Sequence, residues 1–191
     1  MKEKIESALR DLGVPNNTFL LLGGLTGFMG ISASATNCPV LHFSAHHLKM
    51  LDCDQDDIRA MLSHELGHWE LGHCRQRSSL LFLLPILSLV SLFFASWFGS
   101  TVLFFCMIFG VFGLWIHCQR QKEHDADAFA VDMLKSLDLY LNMLDKIRKY
   151  EEREKIHPVL HPSANSRKNF LKRMAFSNIV DDSRKMFRFY E

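Results

Sequence analysis

Between Ser78 and Gln119 the sequence has no Asp, Glu, Lys or Arg, although these residues make up 23% of the chain. An uncharged run of that length excludes an ordinary solvated surface for this segment and points to burial in lipid. An excess of either charge sign is also missing. The 22 Lys and Arg against 21 Asp and Glu leave +1, which excludes the basic field of a nucleic-acid binder. Cysteines are few and odd in number: five, two of them (Cys106 and Cys118) inside the uncharged run, and none in a CxxC pair. A disulfide framework and a cysteine-type zinc site are therefore excluded, and a reducing compartment fits. The start, Met1-Lys2-Glu3-Lys4-Ile5-Glu6, carries acidic residues and leads into no apolar run, so no cleavable leader is expected. There is no repeat or low-complexity tract, and 191 residues exclude a large multidomain enzyme.

What is present divides clearly. The uncharged run breaks at Phe98-Gly99-Ser100-Thr101 into 79–97 and 102–118, each close to the ~20 residues that cross a bilayer core as a helix. The expectation is a transmembrane hairpin over 78–118. Arg75 and Arg77 precede it, Arg120 and Lys122 follow it, and its turn carries no charge, which puts both termini on the cytoplasmic side. Residues 1–77 and 119–191 then form one cytoplasmic domain, since neither half alone could bury a core.

Within that domain, Ile5, Leu9 and Leu12 suit a short amphipathic helix over 2–12, stopped by Gly13 and Pro15. Phe19–Leu22, Phe28–Thr36 and Val40–Ser44 are strand-prone. Asp54 offers an N-cap for an apolar-rich helix running to about His73, with Asp56 and Asp57 at its positive end. The second span continues as a polar helix from Arg120 to about Ser136. Leu137–Arg153 follows, with Leu141, Leu144 and Ile147 at helical spacing, and a last helix runs from Pro162 to about Met174. The fold class is mainly α with a small β-sheet.

The helix after Asp54 carries His64-Glu65-Leu66-Gly67-His68, an HExxH pattern. Residues four apart share a helix face, so both imidazoles can converge on one metal while Glu65 reaches a water bound to it. Tetrahedral zinc with three protein ligands keeps a fourth position for that water, for which a carboxylate is a suitable base. Burying two histidines and a carboxylate side by side demands compensation, and a metal supplies it. A third ligand is needed. Beyond the second span, Glu123 and Asp127 lie four apart beside small Ala126 and Ala130, a spacing that suits one ligand and one supporting carboxylate or, equally, a solvated acidic turn.

The motif His64-Glu65-Leu66-Gly67-His68-Trp69-Glu70-Leu71-Gly72-His73, the segment Glu123-His124-Asp125-Ala126-Asp127-Ala128-Phe129-Ala130 and His161-Pro162-Ser163 with Arg167 together resemble the membrane-integral zinc metallopeptidases. That family includes the HtpX-type heat-shock proteases and the type I CAAX prenyl proteases, and the likeness covers about Phe28 to Met174. It implies a gluzincin-type fold with one zinc per chain, held by His64, His68 and Glu123. By the same resemblance Glu65 is the general base, Asp127 supports the site, His161 stabilises the tetrahedral intermediate and Arg167 organises the acidic pair. The substrate-binding edge strand falls somewhere in Phe28–Thr36. Two spans between the HExxH and ExxxD motifs match the HtpX-type members.

The departures also count. Residues 1–53 contain no span, Phe19–Ile31 being only 13 residues with four glycines, so the multi-span chamber of the prenyl proteases does not carry over. The expected activity is endopeptidase action on unfolded or membrane-proximal polypeptides, with CAAX-type processing or a non-catalytic zinc-clamped adaptor as the alternatives. Of the remaining histidines, His73 lies five residues past His68 and off the ligand face, which assigns it to packing or a helix-end hydrogen bond. His124 and Asp125 are expected at the surface, His117 at the membrane interface, and Cys74 as a structural thiol. No spacing rule gives His42, His46 or His47 a metal.

Overall fold

The computed structural model describes residues 2–14, 19–22, 29–33, 39–43, 50–73, 86, 89–94, 96, 101–155 and 161–187. Helix α1 (Lys2–Asp11) is followed by strands β1 (Phe19–Leu22), β2 (Met29–Ala33) and β3 (Pro39–Phe43), then helices α2 (Gln55–Glu70), α3 (Thr101–Leu134), α4 (Leu137–Arg153) and α5 (Ala164–Phe187). The strands form a sheet in the order β1-β3-β2, with β1 parallel and β2 antiparallel to β3. As an edge strand of this sheet, β2 packs against α2.

Local chemistry fixes the ends of α2. Asp54 accepts from the Asp57 backbone at 2.9 Å while the Asp57 carboxylate accepts from the Asp54 backbone at 2.9 Å, a reciprocal capping box. Lys146 of α4 bridges both carboxylates, which ties the start of α2 to a helix far away in sequence. At the other end the Leu71 and Gly72 amides donate to the Gly67 and Trp69 carbonyls. Gly72 takes φ +70°, the left-handed conformation that ends helices and that glycine adopts without penalty.

One hydrophobic core joins the two sequence halves. Ile5 and Ala8 of α1, Ile58 and Leu62 of α2, Met143 and Leu144 of α4 and Leu171 of α5 are essentially inaccessible. Helices α2 and α3 cross most closely at Gly67, where a Cβ would lie 3.1 Å from the Ala126 carbonyl oxygen and 3.2 Å from its Cα. Ala126 and Ala130 are themselves fully buried. A glycine facing alanines lets two backbones approach and so brings the HExxH face against the Glu123 face.

One expectation needs adjusting: the last helix reaches Phe187 and starts at Ala164 rather than Pro162. On α4, Leu144 is buried and Leu141 and Ile147 pack half-buried against the core as the spacing predicts, with Tyr140, Met143 and Tyr150 completing the inner face. Among the described residues no helix is long and apolar enough to cross a membrane. Most of the expected first span, 79–97, lies outside those residues, as do His46, His47 and Cys74.

Candidate active site

The α2–α3 crossing delivers three metal-ligating side chains to one point. His64 Nε2 and His68 Nε2 are 3.2 Å apart, Glu123 Oε2 is 3.3 Å from His64 Nε2, and Glu123 Oε1 is 3.4 Å from His68 Nε2. A tetrahedral metal with bonds of roughly 2.0–2.1 Å has ligand atoms about 3.3–3.4 Å apart, close to the His64–His68 spacing and to those that Glu123 makes through Oε2 to His64 and through Oε1 to His68. The chemistry of the set fits too: two imidazole nitrogens and a carboxylate, with His64 and Glu123 largely buried.

Electrostatics favour positive charge where these donors converge. Burial works against the charge of Glu123, but hydrogen bonds from His161, His64 and His68 hold its carboxyl far below the usual carboxylate range. Burial and the neighbouring Arg167 oppose protonation of His64, yet Asp127 and Glu123 prevail and raise it to about 9. A proton there occupies the place of a cation.

Behind His64 lies a buried network. Its Nδ1 is 3.0 Å from Asp127 Oδ1 and 3.1 Å from the Tyr140 hydroxyl. Tyr140 donates to Asp127 at 2.7 Å and accepts from Arg167 Nη2 at 2.9 Å, while Arg167 Nε donates to both Asp127 oxygens at 3.1 and 2.9 Å. Burial opposes the charge of Asp127, but Arg167 and His64 hold its carboxyl well below the ordinary range. Burial and the nearby Asp127 push the Tyr140 phenol well above its ordinary value, so it remains a donor. A carboxylate on the far nitrogen of a ligating histidine fixes its tautomer and orientation.

Loop chemistry sets the last pieces. Glu151 of α4 accepts from the Ala164 amide at 3.1 Å, and Ser163 Oγ accepts from Ser166, which together cap α5. Arg167 thus sits in the first turn of α5. Just before it, His161 puts Nδ1 2.8 Å from Glu123 Oε1 with its side chain 65% exposed, a rim position. Glu65 is half-buried on α2 beside the triad.

Contacts join six of the seven expected site residues, His64, His68, Glu123, Asp127, His161 and Arg167, and Glu65 adjoins His64 on α2. One further residue, Tyr140, has no place in the sequence reading, although a phenol on the apolar face of an amphipathic helix needs a polar partner. His73 makes the expected helix-end hydrogen bond, and its partner is a site residue: the His73 Nδ1 lies 3.0 Å from His68 Nδ1. Burial, with His68 and Lys122 nearby, lowers it to about 4 and keeps it uncharged. His124 is half-buried rather than fully exposed, its ring stacking on Phe170 of α5 at 4.3 Å, and it is not among the converging donors. Asp125 is exposed, and His42 lies on β3 opposite Gly30.

The His64 value carries a pH prediction. Its folded value of about 9 exceeds the ordinary 6.5, so the charged ring stabilises the metal-free fold fully below about 6.5 and that contribution is lost as pH rises through about 9. Calorimetry of chelator-treated protein should show the melting temperature falling by several degrees between about pH 6.5 and 9.5. A metal bound through His64 Nε2 would abolish the fall, because a ligating Nε2 carries no proton at either pH. A metal-free protein equally stable at both pH values would refute the charged-site description.

Among curated proteins and solved structures nothing matches the chain significantly. The sequence model of peptidase family M48 does, over residues 14–175. That span takes in the helix with both histidines, the Glu123 and Asp127 helix, Tyr140, His161 and Arg167. The chain belongs to peptidase family M48, a family of metallopeptidases.

Proposed function

We propose that the chain is a membrane-anchored zinc endopeptidase of the gluzincin type that cleaves unfolded or membrane-proximal polypeptides. The observation that carries this is the His64, His68 and Glu123 triad, whose donor atoms stand 3.2–3.4 Å apart. Zinc, one per chain, is the cation that two imidazoles and one carboxylate suit. When bound there it would polarise a peptide carbonyl and lower the pKa of water toward about 7.

The protein's own groups do the rest. Glu65 takes the proton of the attacking water and passes it to the departing amide nitrogen, while His161 donates to the oxyanion from the rim. Asp127, oriented by Arg167 and Tyr140, accepts the His64 Nδ1 proton and so holds the tautomer that leaves Nε2 free of one. The edge strand β2, antiparallel to β3 and packed on α2, suits an extended polypeptide adding as a further strand. Main-chain pairing of that kind supplies affinity with loose sequence demands.

Anchoring rests on the uncharged run Ser78–Gln119 and its basic flanks. Exposed Val102, Phe105, Phe109, Phe112 and Leu114 on the first half of α3 form an apolar surface that lipid would cover. The catalytic domain and both termini then face the cytoplasm.

Purified protein incubated with unfolded casein should cut it at several sites. Chelator should stop the reaction and added zinc restore it. A prenylated CAAX peptide should be cut no better than its unprenylated form. Strict prenyl dependence would favour the processing alternative, and chelator-insensitive cleavage would remove the metal from the mechanism.

A further inference from the structure

Each of the two inward-facing histidines offers its second ring nitrogen to a different neighbour. For His64 that neighbour is Asp127, a carboxylate already tied to Arg167 and Tyr140. For His68 it is His73. The Nδ1 atoms of His68 and His73 are 3.0 Å apart, their ring centroids 5.2 Å apart at 63°, and His73 is only 8% exposed. Five residues along a continuing helix would put the two rings on different faces. The turn after α2 overcomes this: Gly72 at φ +70° reverses the chain and returns residue 73 beneath the helix end.

We propose that His73 is a positioning residue for metal binding, its Nδ1 accepting the Nδ1 proton of His68 so that the His68 Nε2 lone pair faces Glu123 and His64. This rests on reading that triad as a metal site. The proton of a neutral imidazole can sit on either nitrogen, and only one placement leaves a ligating lone pair on Nε2. A second proton on His68 would remove that lone pair, so the partner at Nδ1 must be an acceptor that supplies no proton. An imidazole whose own proton is on Nε2 meets that requirement. It also differs from Asp127 in carrying no charge, so His68 is oriented without a further anion in a site that already holds Glu123 and Asp127.

The assignment separates shape from hydrogen bonding. Asn places an amide oxygen near the position of His73 Nδ1, and Leu has nearly the same shape with no acceptor. Metal-free His73→Asn and His73→Leu proteins are titrated with zinc against a competing chelator, alongside the unchanged chain. His73→Leu should bind zinc roughly 10–100-fold more weakly, the usual effect of losing a partner behind a ligand, and His73→Asn should recover most of the loss. Cobalt(II) in place of zinc gives a second readout, with absorption bands displaced in His73→Leu and close to those of the unchanged chain in His73→Asn. His73→Ala serves the same comparison should His73→Leu fail to fold. Equal zinc affinity for the acceptor and acceptor-free variants overturns the proposal while leaving the metal site standing. An unchanged chain that takes up no zinc overturns both.

Discussion

Glu65→Gln is expected to keep its metal and lose turnover by roughly 10²–10⁴-fold, the contribution of a positioned general base. Two features of the site separate these effects. Glu65 follows His64 on α2, about 100° further round the helix, and its carboxylate is not among the donors that converge with His64, His68 and Glu123. Gln keeps the size and the half-buried position and removes only the capacity to accept a proton. Elemental analysis of the purified variant should therefore show one metal per chain, while the initial rate on unfolded casein collapses. A variant that lost its metal would make Glu65 a structural member of the site. One that kept its rate would place the base elsewhere.

How far the sequence revealed this site depends on the range of the interactions. The HExxH pair is local, fixed by helical periodicity within five residues, and the capping box that starts its helix spans four. Glu123, Asp127, His161 and Arg167 meet His64 or one another across 38 to 103 residues, and periodicity cannot join such segments. They were found by a resemblance of motifs. Tyr140 and the partner of His73 are not legible there, for two different reasons. The expected stripe on α4 is Leu141, Leu144 and Ile147, but its fully inaccessible position is Tyr140, whose ring packs in the core while its hydroxyl enters the network behind His64. Only the tertiary pairing of α4 with α2 and α3 decides that. His73 was judged by helical spacing at a point where the helix had already ended. Gly72 was the available signal, since a glycine at a helix end announces a reversal, and the residue after a reversal returns toward the last turn.

The sheet shows the same limit. Phe28–Thr36 was marked strand-prone, and its central part is β2, Met29–Ala33. That β2 occupies an edge and lies against α2 follows from the β1-β3-β2 order, a crossover that local strand propensity does not encode. Among the described residues no strand pairs with the outer side of β2, and a strand edge is where an added polypeptide can pair.

Arg167→Met should destabilise the metal-free fold by about 3–5 kcal/mol, the cost of leaving one member of a buried ion pair alone. Asp127 is fully inaccessible, and without the guanidinium its carboxylate keeps only the Tyr140 hydroxyl and His64 Nδ1 as partners. Unpaired, it draws its proton from solution and then ceases to be a pure acceptor for His64. Adding Asp127→Asn to Arg167→Met removes the buried charge, and stability should recover toward that of the unchanged chain. Metal binding should not recover with it. An amide oxygen attracts the His64 Nδ1 proton less strongly than a carboxylate, and zinc affinity of the double variant should stay roughly 10–100-fold low. Urea unfolding of metal-free protein and zinc titration against a chelator measure the two quantities separately. If Arg167→Met unfolded within about 1 kcal/mol of the unchanged chain, the pair would be solvated and the network behind His64 would not be the buried one described. If the double variant bound zinc at full affinity, Asp127 would serve the fold alone, and the tautomer of His64 would be set by Tyr140.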